Sequence, residues 1–260
     1  MAPPSEHTAR VAARLEGVVV LDLELDGADD VIEGVRELRL SGDLTGFAPW
    51  PGQDLMVSVP PGAATARFRR YTVRRWDPVA GTVVLWVTTA TDGPGAGWAM
   101  TVALGDRVDA VGPRGKIALD PTAATHVFVI DESGLAAACA MAEAVVGPAA
   151  VHTVVALEHS GVAVPSELEP RVHDGVTLAS HAVRTSDRAG LRAAIGLVAS
   201  SVDAATSAAY VFGELALTRE VVATLPSLGL DEARVAVKPY WRNDRANEAN
   251  GEPDRGGGSE

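Results

Sequence analysis

Arg69-Arg70-Tyr71-Thr72-Val73-Arg74-Arg75-Trp76-Asp77 puts four arginines, two aromatic rings and a hydroxyl into one β-prone run. Side chains alternate along a strand, so Arg69 and Tyr71 fall on one face and Arg70 and Thr72 on the other. Arg69 is then placed to grip a phosphate while Tyr71 lies against a neighbouring ring. The mixture suits a flat, anionic cofactor: charge for its phosphates, a ring to cover its ring, a hydroxyl for its polar edge. A flavin has that make-up. An arginine-decorated strand with one inward aromatic shows the same residues, and the run by itself does not separate the two.

Working outward, residues 15–120 read as strands. Residues 18–21 begin them, and 34–40 follow with the alternation of a half-buried strand. Residues 55–59 end at the turn Pro60-Pro61-Gly62, and 67–76, 82–88 and 107–111 complete the set. Gly and Pro clusters separate them all, which predicts a small antiparallel barrel. Residues 1–14 show no clear pattern and are expected to be loose.

After Pro121 the grammar changes. Short apolar strands at 127–130, 151–157, 176–180, 208–212 and 234–237 alternate with helices at 132–146, 187–199 and 215–225. Asp187 is an N-cap candidate for the second of these helices. Such alternation means a parallel sheet covered on both faces. The expected plan is therefore a cofactor-binding β-barrel domain at 15–120 and a nucleotide-binding-like α/β domain at 121–242. A polar tail at 243–260, ending Gly-Gly-Gly-Ser-Glu, is expected to be disordered.

Composition narrows the function classes. Of 260 residues 47% are apolar, enough for real cores, yet no apolar run approaches the roughly 20 residues of a membrane helix. The start, Met1-Ala2-Pro3-Pro4-Ser5-Glu6-His7, lacks the basic flank and apolar core of a signal peptide, so a soluble cytoplasmic protein without membrane insertion is expected. A net charge of −12 argues against nucleic-acid or anionic-membrane surfaces. Lysine is confined to Lys116 and Lys238, so any basic pocket is mostly guanidinium, which favours forked recognition of phosphate and carboxylate. The lone Cys139 lies in an alanine-rich run and reads as a small buried helix residue, with no positive charge nearby to favour a thiolate.

Four further segments carry candidate chemistry. In Asp92-Gly93-Pro94-Gly95-Ala96-Gly97-Trp98-Ala99 small residues allow a close backbone approach, and helix-start N–H groups are able to hold a phosphate. A hairpin loop anchored by Trp98 is the other reading, favoured for the segment alone. Residues 105–108 through Gly112-Pro113-Arg114-Gly115 read as barrel closure with a tight turn. Ile130-Asp131-Glu132-Ser133-Gly134-Leu135 sits at a strand-to-helix junction, where open parallel sheets bind nucleotides; its carboxylates also serve as helix caps. Lys238-Pro239-Tyr240-Trp241-Arg242-Asn243 is aromatic and cationic just past the last strand; the alternative there is aromatics packed on the sheet. The six histidines show no metal-ligand spacing, so no metal site is expected. There is neither a G-x-S-x-G elbow nor a phosphate-binding G-x-x-x-x-G-K-[ST] loop. Glu158-His159-Ser160 reads as a loop.

In this order the five segments resemble the siderophore-interacting protein family, FAD-dependent and NAD(P)H-using ferric-siderophore reductases related in architecture to ferredoxin reductases. The likeness runs from about residue 15 to 245. Arg69-x-Tyr71-Thr72 through Asp77 is similar to the family's R-x-Y-T-x-R-x-x-D motif. The resemblance implies that Arg69 binds FAD phosphate, Tyr71 stacks on the isoalloxazine and Thr72 hydrogen-bonds the flavin ring. Gly93, Pro94 and Trp98 match the family's G-P-x-x-x-W-A pyrophosphate loop, and Gly112-Pro113-x-Gly115 its next turn. Tyr240-Trp241-Arg242 matches its C-terminal Y-W-R, which implies a place for Tyr240 and Trp241 beside the flavin and nicotinamide. Asp131 and Ser133 keep part of its G-D-E-T-A-x-P-A signature, without the first glycine and the proline. The histidine and glycine usual before the G-P loop are also absent, with 87–91 reading Val-Thr-Thr-Ala-Thr.

The function implied is transfer of electrons from NADPH or NADH through FAD to a ferric siderophore or similar ferric chelate. Lys238, Arg242 and Arg74 are the cations placed to attract an anionic chelate. The altered 130–137 segment motivates an alternative on the same scaffold: a FAD-binding biosynthetic enzyme catalysing a non-redox step such as a cyclisation, its substrate a biosynthetic intermediate and its nicotinamide site degenerate. A non-catalytic flavin- or chelate-binding protein is a third reading. No catalytic side chain emerges, and the acceptor, the choice of nucleotide and the oligomeric state stay open.

Overall fold

Leucines and valines at every second position build the first sheet, because alternation puts them all on one face. In the computed structural model, which describes residues 5–59, 67–91, 93–158, 164–225, 229–230 and 232–242, that face lines a closed barrel. Its strands are β1 (Val19–Ile32), β2 (Val35–Gly42), β3 (Asp54–Val59), β4 (Arg67–Asp77), β5 (Thr82–Thr88) and β6 (Arg107–Arg114). They run in the order β1-β2-β5-β4-β3-β6, with β6 pairing antiparallel to both β1 and β3 to close the ring. Leu21, Leu23, Leu25, Leu38, Leu40, Leu55 and Leu85 fill the interior. The turn at Pro60-Pro61-Gly62, residues Asp92, His159 and Ser160, and the tail at 243–260 lie outside the described residues.

Two stretches of this half depart from the sequence expectations. Helix α1 (Glu6–Ala12) occupies part of the segment expected to be loose. Ser5 caps it, accepting from Thr8 N, while Ser5 N and Thr8 Oγ1 both donate to Asp109 Oδ2 on β6, at 2.9 and 3.0 Å. His7 stacks on Phe68 with ring centroids 5.4 Å apart. Polar staples and one ring contact hold this helix, so no apolar periodicity announces it. The segment after β5 is helix α2 (Pro94–Thr101), and not a hairpin loop; Trp98 is its anchor, buried in the barrel core.

The second sheet comprises β7 (Thr125–Asp131), β8 (Ala149–Leu157), β9 (Val176–Arg184), β10 (Ser207–Glu214) and β11 (Val235–Trp241). Their order is β11-β10-β7-β8-β9, every neighbouring pair parallel. Central β7 is buried at all seven positions, which is why its middle, Val127 to Ile130, is a continuous apolar run instead of an alternation. The helices are α3 (Leu135–Ala142), α4 (Arg188–Ser201) and α5 (Leu215–Thr224). Leu191, Ile195 and Val198 of α4, with Leu217 and Val221 of α5, pack on Val127, Val129, Val154, Ala209 and Val211. Asp187 caps α4 by accepting from Gly190 N. The helix expected over 132–146 is shorter: Glu132–Gly134 forms a 3₁₀ turn before α3. No helix among the described residues is long and apolar enough to cross a membrane. By packing, the chain divides into two units, Met1–Leu119 with Cys139–Ala144, and Asp120–Ala138 with Val145–Glu260.

The amino end of the second sheet carries a polar cluster that sets a pH dependence. Tyr210 Oη accepts from Asp120 N at 2.8 Å and lies 3.2 Å from His126 Nδ1. Hydrogen bonds from Thr122, with Arg234 as a further partner, hold Asp120 down at about 2. Burial lowers His126 from its ordinary value. The unfolded chain therefore takes a proton below about pH 6.5 that the fold resists, and stability falls as pH drops through that range. Asp120 contributes above its unfolded value and is lost only at much lower pH, so the two windows separate. Denaturant midpoints at pH 7.5 and 5.5 are expected to differ, and His126→Gln is expected to reduce the difference; an unchanged slope would count against this cluster.

Candidate functional site

On β4, Arg69 and Tyr71 share a face and converge on the first turn of α2. Gly93 is the N-cap and Pro94 follows it; no side chain caps this end and no acidic residue lies in its first turn. The N–H groups of Gly95 and Ala96 thus belong to the set that an α-helix leaves without an internal partner. A Cβ placed on Gly95 would collide with Tyr71 Oη and come within 3.6 Å of Arg69 Cγ. Glycine is what allows the strand's side chains to reach the helix terminus.

Tyr71 stacks on Trp98 at 5.7 Å and 29°. Among the described residues, Tyr71 Oη and Trp98 Nε1 are buried without a hydrogen-bond partner, which is costly unless something else supplies one. Burial pushes the Tyr71 phenol well up, with the Arg69 charge opposing it. Burial also lowers Arg69, whose Nη1 donates to Phe68 O at 3.1 Å. A positive helix terminus, a guanidinium and two unsatisfied donors in one place make an acceptor for an anion attached to a flat ring system. The donor set fits FAD.

The opposite face of β4 is engaged within the protein. Arg70 donates to both oxygens of Asp54, Nε at 2.9 Å and Nη2 at 2.7 Å. Thr72 is buried opposite Asp54 in the β3–β4 register. Arg74 needs correction as a substrate cation. It is 4% exposed, its two terminal nitrogens donate to Glu143 at 2.7 Å each, and its guanidinium lies 4.7 Å over the Trp86 ring. A charge so enclosed is a structural ion pair. The same pair revises the surroundings of Cys139: Arg74 does lie near and pulls the thiol down, but burial dominates and pushes it up to about 12.

In the second unit the predicted residues gather at the carboxyl ends of the strands. Asp131, fully buried at the end of β7, accepts from Ser133 N (2.8 Å), Ser133 Oγ (2.5 Å), Glu214 N (2.7 Å) and Trp241 Nε1 (3.1 Å). Burial pushes this carboxyl up and the four donors oppose it. With its oxygens taken, Asp131 is corrected from a cofactor contact to a residue that locks strand ends. Ser133 spends its hydroxyl on the same carboxylate. Glu132 Oε1 accepts from Glu158 N at the end of β8. Tyr240 stacks on Phe212 at 5.7 Å, with Lys238 Nζ 5.5 Å over its ring, so these aromatics do pack on the sheet. Arg242 follows directly. Sequence reading missed Gly95, Asp54, Glu143 and Glu214. Gly95 carried a signal, standing inside a glycine-rich helix start; Asp54 and Glu143 are paired over 16 and 69 positions, and Glu214 meets Asp131 through its backbone N–H over 83, so these carried none.

Residues 40–117 match the model of the siderophore-interacting FAD-binding domain, and residues 123–244 match that of the siderophore-interacting protein. The chain belongs to the siderophore-interacting protein family. Among solved structures, a siderophore utilization protein from T. fusca is 21% identical with a TM-score of 0.74, covering 90% of this chain and 97% of its own. The siderophore-interacting protein SipS from Aeromonas hydrophila is 22% identical with a TM-score of 0.72, covering 88% and 92%. Ferredoxin-NADP+ reductase from Plasmodium falciparum shares the fold at 12% identity, TM-score 0.65, covering 85% and 96%. No curated protein matches the sequence. The family match makes this a FAD-binding protein, and the fold is that of the ferredoxin reductases.

Proposed function

We propose that the protein takes electrons from NADH or NADPH and passes them to a ferric siderophore or similar anionic ferric chelate. The observation that carries the reading is the uncapped start of α2 flanked by Arg69 and by the unpartnered Tyr71 Oη. Arg69 and the N–H groups of Gly95 and Ala96 would hold the FAD pyrophosphate, Gly93 and Pro94 shape the turn, and Tyr71, Thr72 and Trp98 would serve the ring. When bound, FAD supplies the conversion between a two-electron hydride donor and a one-electron Fe(III) acceptor. Tyr240 and Trp241 stand at a strand end suited to the nicotinamide, Ser133 would act there only through the Asp131 carboxylate that it binds, and Lys238 and Arg242 provide positive charge for a chelate in an otherwise acidic chain.

A second reading keeps FAD and drops the redox cycle, and one feature favours it. The chain's own carboxylates occupy the β7–α3 junction, Asp131 on Ser133 N and Glu132 on Glu158 N, where a dinucleotide's phosphates would be received. Anaerobic addition of NADH or NADPH to the FAD-loaded protein separates the two. Rapid bleaching of the flavin, followed by reoxidation with a ferric chelate, supports the reductase; no bleaching at millimolar nucleotide supports the non-redox enzyme.

Arg69→Ala tests the flavin site itself. Loss of a charge-assisted contact of about 1.5–3 kcal/mol corresponds to FAD binding weakened roughly 10- to 100-fold, read by fluorescence titration of the apoprotein. Unchanged affinity would remove Arg69 from the site.

A further inference from the structure

One carboxylate ties together the ends of three strands. Asp131 closes β7 at 2% exposure; its Oδ1 takes both Ser133 donors, and its Oδ2 takes Glu214 N from the end of β10 and Trp241 Nε1 from the end of β11. The sheet order reverses between β10 and β7, and such a switch point is where open α/β sheets bind ligands. Gly213 at φ +145° brings the β10 backbone against this carboxylate, where any Cβ would strike it. Four donors converge on the group, three of them N–H groups that can only donate.

Trp241 is only partly buried, and an indole has a single polar hydrogen. Its bond to Asp131 therefore fixes how the ring is turned. We propose that Asp131 is a positioning residue: it orients the Trp241 indole at the switch point and acts on the nicotinamide step through that ring. The proposal rests on the reading of nicotinamide as electron donor. Asp131→Leu keeps the branched outline of the side chain but carries no oxygen, so it releases the tryptophan N–H.

The test uses the full chain loaded with FAD. The Trp241 indole N–H resonance is assigned by its absence in Trp241→Phe. Asp131→Leu is expected to shift that resonance while leaving those of Trp50, Trp76, Trp86 and Trp98 in place. It is expected to slow anaerobic flavin reduction tenfold or more with FAD content unchanged. Trp241→Phe should slow it equally, and the double variant no further. Additive slowing, or a shifted resonance with an unaltered rate, overturns the proposal. Should Asp131→Leu fail to fold, an unaltered rate in Trp241→Phe still overturns the proposal, and Asp131→Glu, which moves the acceptor by one methylene, supports it if the Trp241 resonance and the rate change together and overturns it if the resonance moves alone. Wild-type protein inert to both nucleotides is a different failure: it removes the nicotinamide reading and the proposal with it.

Discussion

Replacing Gly95 by valine is expected to give a protein that purifies without flavin. The new Cβ would collide with Tyr71 Oη beside Arg69, and the branched methyls would cover the N–H groups at the start of α2. The Tyr71 ring cannot simply swing aside, because it is stacked on the buried Trp98. FAD affinity should fall by a hundredfold or more, since both the helix-terminus donors and the close approach are lost. Tyr71→Phe in the same background separates two causes. It removes the colliding hydroxyl, so the double variant should recover thermal stability without recovering the flavin. Valine at 95 with unchanged flavin affinity would place the cofactor elsewhere.

The second large effect is on stability. Glu143→Ala leaves the Arg74 guanidinium enclosed with no carboxylate for its two terminal nitrogens. Removing one partner of a buried pair costs about 3–5 kcal/mol, because the remaining charge stays desolvated. For a protein of this size that is a fall in Tm on the order of 10 °C, measurable by calorimetry. Arg74→Met with Glu143→Leu removes both charges and keeps the volume apolar, so the double variant should melt well above Glu143→Ala alone. A single variant losing less than about 1 kcal/mol would mean the pair behaves as an exposed surface bridge.

The stability experiment bears on how the chain was read. Arg74 stands in a motif full of arginines, and from sequence it looked like the others, a cation available to an anion. Its surroundings are made by Glu143, 69 positions away, and by the Trp86 ring on β5. Arg70 is taken by Asp54 on the neighbouring strand in the same manner. Of these three, Arg69 runs beside the uncapped start of α2. Nothing local distinguishes the three, because the difference lies in what each side chain meets after the sheet has closed.

The sequence by itself determined the architecture: period-two alternation in 15–120, then strands alternating with helices after Pro121. Those patterns are local, and burial of one face decides them residue by residue. The Arg69–Asp77 run and the glycine-rich start of α2 stood out for a similar reason, each being a short run whose composition is read without distant partners. Tertiary structure alone decided the rest. It made α1 a helix through staples to Asp109, enclosed Arg74, and spent Asp131 on three strand ends. A polar side chain takes its role from whichever donor or acceptor the fold brings within about 3 Å, and sequence spacing carries no record of that distance.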